Sequence, residues 1–238
     1  IHVSLNGRCN DIVKLLDLCK KYNIYLLEDS AQSLGSYYKG KHIGTYGDIG
    51  SFSFASPKII TTGQGGALIT NNEDLSKKIY ELKNFGRYEG GIDTHHCFGI
   101  NNKFTDIQAV IGIEQMKKLP SRIIRMKEMW NIYYEKLSSN KNIFMYEKYN
   151  NWLPMFIDIY VKEPNKLKKY LSENNIGSRI IYPPIHTQKV YKEFNNLSFP
   201  VTEKYSSMGL WLPSSTNLTN EQINLICDKI LEFYKDLK

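Results

Sequence analysis

Asp11-Ile-Val-Lys-Leu-Leu-Asp-Leu-Cys-Lys-Lys-Tyr22, followed at once by Asn23-Ile-Tyr-Leu-Leu-Glu-Asp29, is the stretch on which the fold turns. Its first part carries Ile12, Leu15, Leu16 and Cys19 at helical spacing, the stripe of a helix lying on an apolar surface. Its second part, Ile24 to Leu27, is a short apolar strand that stops at two acids. Upstream, Ile1 to Leu5 is another short, mostly apolar stretch, read as a buried strand. Strand, helix and strand in so little chain make a βαβ unit, and hence a parallel sheet. In such sheets ligands gather outside the carboxyl ends of the strands. Asp29 stands at such an end.

Downstream, Gly35 to Gly50 is a glycine-punctuated loop, and Ser51 to Phe54 and Gly66 to Thr70 are short strands. Between those strands lies Lys58, at the end of Gly50-Ser-Phe-Ser-Phe-Ala-Ser-Pro-Lys58 and before Ile59-Ile-Thr-Thr-Gly-Gln-Gly-Gly66. One apolar strand therefore delivers Asp29, a second delivers Ser53, and a lysine follows in a Gly/Thr-rich turn. That set suits pyridoxal 5'-phosphate, which needs an amine to condense with its aldehyde and an acid opposite its ring nitrogen.

At these residues the chain closely resembles the nucleotide-sugar aminotransferases of the DegT/StrS type. The matching stretches are Glu28-Asp-Ser-Ala-Gln32, Gly44-Thr-Tyr-Gly-Asp48 running into Ser51-Phe-Ser-Phe54, and Lys58-Ile-Ile-Thr-Thr-Gly-Gln-Gly-Gly66. Phe98-Gly-Ile-Asn-Asn-Lys-Phe-Thr-Asp-Ile-Gln-Ala109, Tyr182-Pro-Pro-Ile-His186 and Leu210-Trp-Leu-Pro-Ser-Ser215 extend the likeness toward the C-terminus. The resemblance implies an α/β fold of the aspartate aminotransferase-like, fold-type-I class. Its large domain would be incomplete, with a mainly parallel sheet, followed by a small C-terminal α/β domain. Ile1 to Gly7 is similar to the family's mid-domain strand, so the chain reads as a fragment lacking the family's N-terminal third. The family's phosphate-cradling G-T-x-A-L turn and ring-stacking aromatic would lie before Ile1.

The same resemblance assigns roles. Lys58 is the catalytic residue, attaching the cofactor and moving a proton; relatives with His there dehydrate, so Lys58 implies transamination. Asp29 pairs with the ring nitrogen and keeps it cationic; alternatively, Glu28-Asp29 caps a loop. Gln32 contacts the cofactor's face or 3'-oxygen, or is a plain polar loop residue. Ser53 binds the phosphate, or is a small packing residue. Strand alternation puts Ser51 and Ser53 on one face, and Phe52 and Phe54 on the other. Asn101 reaches a neighbouring subunit's cofactor phosphate, or takes a left-handed turn. His186 lies near the sugar pocket, or is structural. Gln64 departs from the family's G-E-G-G and loses a charge there. His95-His96-Cys97 looks metal-like at a glance, but adjacent side chains diverge and no acidic ligand sits at useful spacing, so no metal is expected.

The remaining chain carries two expected helices, Asn72 to Phe85 and Asp106 to Leu119, the latter capped by Thr105 and ended by Pro120. Gly86 to Asn102 is an exposed loop between them. Ser121 to Leu137 is a long helix with Ile123, Ile124, Met126, Trp130 and Tyr133 on its apolar side. Beyond it come alternating strands at 143–146 and 155–161, a helix at 163–174, a strand at 177–182 and a last helix at 220–237. Two domains are expected, residues 1–120 as the C-terminal part of the cofactor-binding domain and 121–238 as connecting helix plus small domain.

Composition adds limits. With 238 residues, 42% hydrophobic and 23% charged, the chain has the make-up of a globular protein. No stretch approaches the roughly 18 apolar residues that span a membrane. The net charge of +7 comes from dispersed lysines, the pattern of solvated helix faces rather than of a nucleic-acid site. A modest positive field also suits a diphosphate-bearing substrate. Four cysteines without C-x-x-C spacing read as free thiols in a reducing cytosol. The expected activity is transfer of an amino group, with glutamate as donor, to a nucleotide-linked 4-keto-6-deoxy sugar by a cytoplasmic homodimer with shared active sites. The competing expectation is a catalytically silent remnant that acts only as a dimerisation partner.

Overall fold

β1 (His2–Val3), α1 (Ile12–Lys21) and β2 (Leu27–Asp29) form the expected βαβ unit, with β1 and β2 parallel in the register His2↔Glu28 and Val3↔Asp29. Asp11 caps α1 by accepting the Lys14 N–H. Ile12 and Cys19 pack with Leu26, and Leu15 and Leu16 close over that cluster. β2 begins later than expected because the chain is still closing the helix. Ile24 donates its N–H to Cys19 O at 3.0 Å, and Asn23 takes a left-handed φ of 50°.

The computed structural model describes residues 1–9, 11–147 and 152–236. It divides into two compact units, one of residues 1–124 with 149–155 and one of 125–148 with 156–238. In the first unit, the loop expected between Gly35 and Gly50 contains a small hairpin, β3 (Tyr37–Tyr38) and β4 (Lys41–His42). Lys39 and Gly40 turn it with φ of 45° and 80°, the left-handed pair of a two-residue hairpin. β5 (Ile49–Ser53) then enters the sheet parallel to β2, with Asp29 opposite Ser51. β6 (Gly66–Ile69) runs antiparallel to β5, giving the order β1-β2-β5-β6.

α2 (Glu73–Lys83) is capped by Asn72, whose Oδ1 accepts the Leu75 N–H at 3.0 Å. α3 (Asp106–Leu137) begins with a reciprocal cap in which Thr105 and Gln108 exchange side-chain and backbone hydrogen bonds of 3.0 and 3.3 Å. Pro120 does not end this helix, which is one 32-residue element rather than the two expected. Proline removes one amide and crowds the preceding turn. Here Arg122 bonds Gln115 across that turn at 2.7 Å, and Ser121 Oγ donates to Lys118 O at 2.9 Å. Of the apolar side expected beyond Pro120, Met126, Trp130 and Tyr133 are buried, but Ile124 is exposed.

The second unit is an antiparallel sheet of β7 (Ile143–Phe144), β8 (Ile157–Val161), β9 (Arg179–Ile180) and β10 (Gly209–Leu212), in the order β7-β8-β10-β9. α4 (Pro164–Glu173), α5 (Pro200–Met208) and α6 (Asn220–Asp236) complete it. β8 does not alternate as expected. All five of its residues are buried, as are all four of β10, because both strands are central and covered on both faces. Tyr133, Leu137, Ile157, Ile159, Leu167, Leu171, Leu210, Ile223 and Ile230 form this unit's interior. No helix of the described residues is long and apolar enough to cross a membrane. All four cysteines are free thiols.

Candidate active site

Three parallel strands of the first unit present their carboxyl ends together. Ser4, after β1, donates its N–H to Asp29 O at 3.1 Å, and Ser30, after β2, donates to Ser51 O at 2.9 Å. Asp29 turns one carboxylate oxygen, Oδ1, onto the Ala31 N–H at 3.1 Å, which holds the side chain at the strand end. Gln32 reaches back across this edge, and its Oε1 accepts the Asn6 N–H at 2.7 Å. The backbone of Asn6 has a left-handed φ of 54°, and its carbonyl takes the Trp152 indole N–H at 2.6 Å. Arg8 lies over the Trp152 ring, 4.4 Å from its centroid.

After β5 the chain makes a loop closed largely on itself. Phe54 and Gly65 pair at 2.9 Å, Thr62 returns its N–H to Phe54 O at 2.9 Å, and Ser56 Oγ donates to Gly63 O at 2.9 Å. Ser53 Oγ accepts the Ala55 N–H at 3.3 Å. Lys58 sits on this loop, its own N–H on Ala55 O at 3.0 Å, and its side chain is half-buried. Burial pushes the Lys58 pKa below the ordinary lysine range, and the Asp29 carboxylate pulls it partly back up. The amine and the acid are thus within electrostatic reach of one another. An amine biased toward its neutral form beside a strand-end carboxylate is a donor set that fits pyridoxal phosphate.

Asp29, Ser53 and Lys58 accordingly share one edge of the sheet, with Gln32 on the loop after β2. Asn101 is exposed; it bridges to Asn84, and its Oδ1 accepts the Lys103 N–H at 3.4 Å. Its φ is not left-handed, so the turn role weighed for it does not apply. His186 belongs to the second unit, where its Nε2 meets Glu203 at 3.2 Å and its ring packs on Phe199. Gln64 offers only its carbonyl, which accepts from Thr62 Oγ1 and Gln108 Nε2. His95 bonds Phe85 O at 2.7 Å and His96 stacks on Tyr88. No three His, Cys, Asp or Glu among the described residues gather as metal ligands.

Glu28 was not singled out by itself in the sequence, and it organises the edge. It is almost fully buried and accepts three backbone N–H groups, from Gly44 at 2.7 Å and from Tyr46 and Gly47 at 2.6 Å each. The loop between β4 and β5 is thereby bound to the residue preceding Asp29. Gly44 is needed in that loop, since a Cβ there would meet Ser30 Oγ at 2.9 Å on a backbone with φ of 95°.

A mainly parallel sheet with a lysine-bearing loop facing a strand-end aspartate, joined by a long helix to an antiparallel α/β unit, defines a fold-type-I, pyridoxal-phosphate-dependent transferase. Helicobacter pylori PseC, an aminotransferase involved in the biosynthesis of pseudoaminic acid, has the same fold. The two superimpose with a TM-score of 0.92 at 24% identity over 98% of this chain and 66% of PseC. The GDP-perosamine synthase of Escherichia coli O157:H7 is 34% identical over 98% of this chain and 65% of its own length. A dTDP-3-amino-3,6-dideoxy-alpha-D-galactopyranose transaminase from Aneurinibacillus thermoaerophilus is 32% identical over 96% of this chain and 63% of its own. The profile of the DegT/DnrJ/EryC1/StrS aminotransferase family matches residues 1–231, and the chain belongs to that family. Pyridoxal phosphate is the cofactor of the family's aminotransferases. The chain spans about two-thirds of these relatives' length, 65% of the first and 63% of the second.

Proposed function

We propose that these residues are part of a pyridoxal-phosphate-dependent aminotransferase that moves an amino group from glutamate to a nucleotide-linked 4-keto-6-deoxy sugar, working as a homodimer. The observation that carries this is that Lys58, on the loop after β5, and Asp29, at the end of β2, share one edge of the sheet within electrostatic reach of each other. Burial favours the neutral Lys58 amine, which is the form that condenses with an aldehyde and that accepts a proton. The cofactor, when bound, supplies an electron-withdrawing ring that acidifies the Cα–H of an amino acid. Lys58 Nζ takes up that proton and later returns it. Asp29 would meet the ring's nitrogen with a carboxylate, and Ser53 and Gln32 would help to hold the group. Asn101 would reach the cofactor phosphate of a partner subunit, and His186 the sugar. The nucleotide-sugar substrate class is supported by the two relatives at 34% and 32% identity. A catalytically silent role draws no support from a site that retains both Lys58 and Asp29.

Borohydride reduction of the chain incubated with pyridoxal phosphate tests this. The visible band should disappear and peptide mapping should place the pyridoxyl group on Lys58. Label on a different lysine would sink the assignment.

A further inference from the structure

Three arginines of this chain engage acceptors within it. Arg87 meets Asp93 at 2.8 Å, Arg122 meets Ile59 O at 2.8 Å and Gln115 at 2.7 Å, and Arg125 meets Asn220 at 2.7 Å. Arg179 is different. Its side chain is exposed, and no oxygen among the described residues accepts a hydrogen bond from its guanidinium or forms an ion pair with it. Yet it is held in place by rings. Its Cζ lies 5.5 Å from the Trp211 centroid and 5.6 Å from that of Tyr182, both within cation–π range. Strand pairing sets Arg179 directly opposite Trp211. Trp211 is itself fixed, stacked on Phe156 at 4.5 Å and met edge-on by Tyr182 at 4.7 Å.

A cation–π contact spends none of the guanidinium's N–H groups on a hydrogen bond to oxygen. A ring-supported arginine has also given up part of its side-chain freedom before any ligand arrives, so less is lost per hydrogen bond formed. Its fork matches a carboxylate or a phosphate through two parallel N–H···O bonds. We propose that Arg179, on its platform of Trp211 and Tyr182, is an oxyanion-binding site of the second unit that takes a phosphate or carboxylate group of a substrate. Only the source of the anion rests on the aminotransferase reading: the diphosphate of a nucleotide sugar, or a carboxylate of the amino donor.

The test titrates the 238-residue chain with guanosine diphosphate and, separately, with glutamate. Calorimetry and tryptophan fluorescence follow the wild type, Arg179→Ala and Arg179→Lys. One anion should bind. Arg179→Ala should weaken it roughly tenfold to a hundredfold, the range of a charge-assisted hydrogen-bonded pair. Arg179→Lys should fall between, because it keeps the charge and loses the fork. The anion that shows this dependence identifies the source. Failure of the wild type to bind either, or equal binding by Arg179→Ala with an unchanged near-ultraviolet circular dichroism spectrum, overturns the proposal. If that spectrum changes in the alanine variant, the lysine variant decides by the same criterion. Borohydride labelling of Lys58 does not involve Arg179, so the failure of either assignment is seen separately.

Discussion

Replacing Glu28 by glutamine exchanges one carboxylate oxygen for an NH2 group and should cost the first unit much of its stability. The carboxylate is almost fully buried, with one oxygen accepting from Tyr46 and Gly47 at 2.6 Å each and the other from Gly44 at 2.7 Å. Glutamine can turn its carbonyl toward Tyr46 and Gly47. Its NH2 then faces the Gly44 N–H, donor against donor, in a buried position. One charge-assisted bond is lost, a buried donor is stranded, and the two surviving bonds lose their charge assistance. A stranded buried donor costs about 1–3 kcal/mol, and the lost charge assistance of the two surviving bonds adds about 1 kcal/mol, so a net loss of about 2–4 kcal/mol is expected. At roughly 2–4 °C per kcal/mol for a chain of this size, the melting midpoint should fall by about 5–15 °C. Thermal unfolding followed by far-ultraviolet circular dichroism measures the global effect. Hydrogen exchange at the Gly44, Tyr46 and Gly47 amides measures the local one, and these three should lose protection first. A midpoint within a degree of wild type, with all three amides still protected, would refute the claim that Glu28 binds the loop to the strand end.

Asp29→Asn should keep the bond to the Ala31 N–H, since Oδ1 is retained, while losing the charge. In the cofactor-loaded protein, turnover should drop about a hundredfold or more, each 1.4 kcal/mol being about tenfold, and a near wild-type rate would show that a different acid faces the ring. His42 should make stability depend on pH, because its Nδ1–H is donated to Ile43 O at 2.5 Å while its Nε2 accepts the Gly35 N–H at 2.9 Å, an arrangement only the neutral ring can keep. Burial lowers its folded-state pKa below the ordinary 6.5, with Glu28 opposing, so the stabilisation is complete above about pH 6.5 and is lost as pH falls through the depressed value. Denaturant midpoints measured from pH 8 to pH 5 should fall in the wild type and fall less in His42→Gln; half-buried His2 adds a slope of the same sign that the variant retains.

What could be read from the sequence was local. The stripe Ile12, Leu15, Leu16, Cys19 and the apolar run before Glu28 are short-range patterns, and the βαβ unit they imply forms in the structure. The boundaries slipped where a local rule met a competing one. Pro120 ordinarily stops a helix, but the bond between Gln115 and Arg122 spans the turn it weakens, and no feature of the sequence marks that pair. The alternation expected of the strand at 155–161 implies an exposed face, which β8 does not have. β10 covers its other edge, and the residues that bury both faces lie far along the chain, from Tyr133 to Ile230.

The site divides along the same line. Lys58, Asp29 and Ser53 were legible because each lies beside a strand end or a glycine-rich turn, features written within a few residues of them. What holds them was not legible, because its partners are distant in sequence: Gln32 binds Asn6, and Asn6 binds Trp152, 146 residues further on. Glu28 shows the limit most clearly. An acid next to an acid at a strand end offers two candidates for the cofactor's nitrogen, and composition cannot choose between them. Alternation does choose. Successive residues of β2 point to opposite faces, and Glu28 is the one turned into the protein, where three backbone amides engage both its oxygens. A buried carboxylate with both oxygens so engaged is not presented to a cofactor at the strand end. Asp29 makes only the Ala31 bond through Oδ1 and is close enough to Lys58 to raise its pKa, so its second oxygen is the one available to a pyridinium N–H. The division of labour between the two acids therefore follows from the pleat of one three-residue strand.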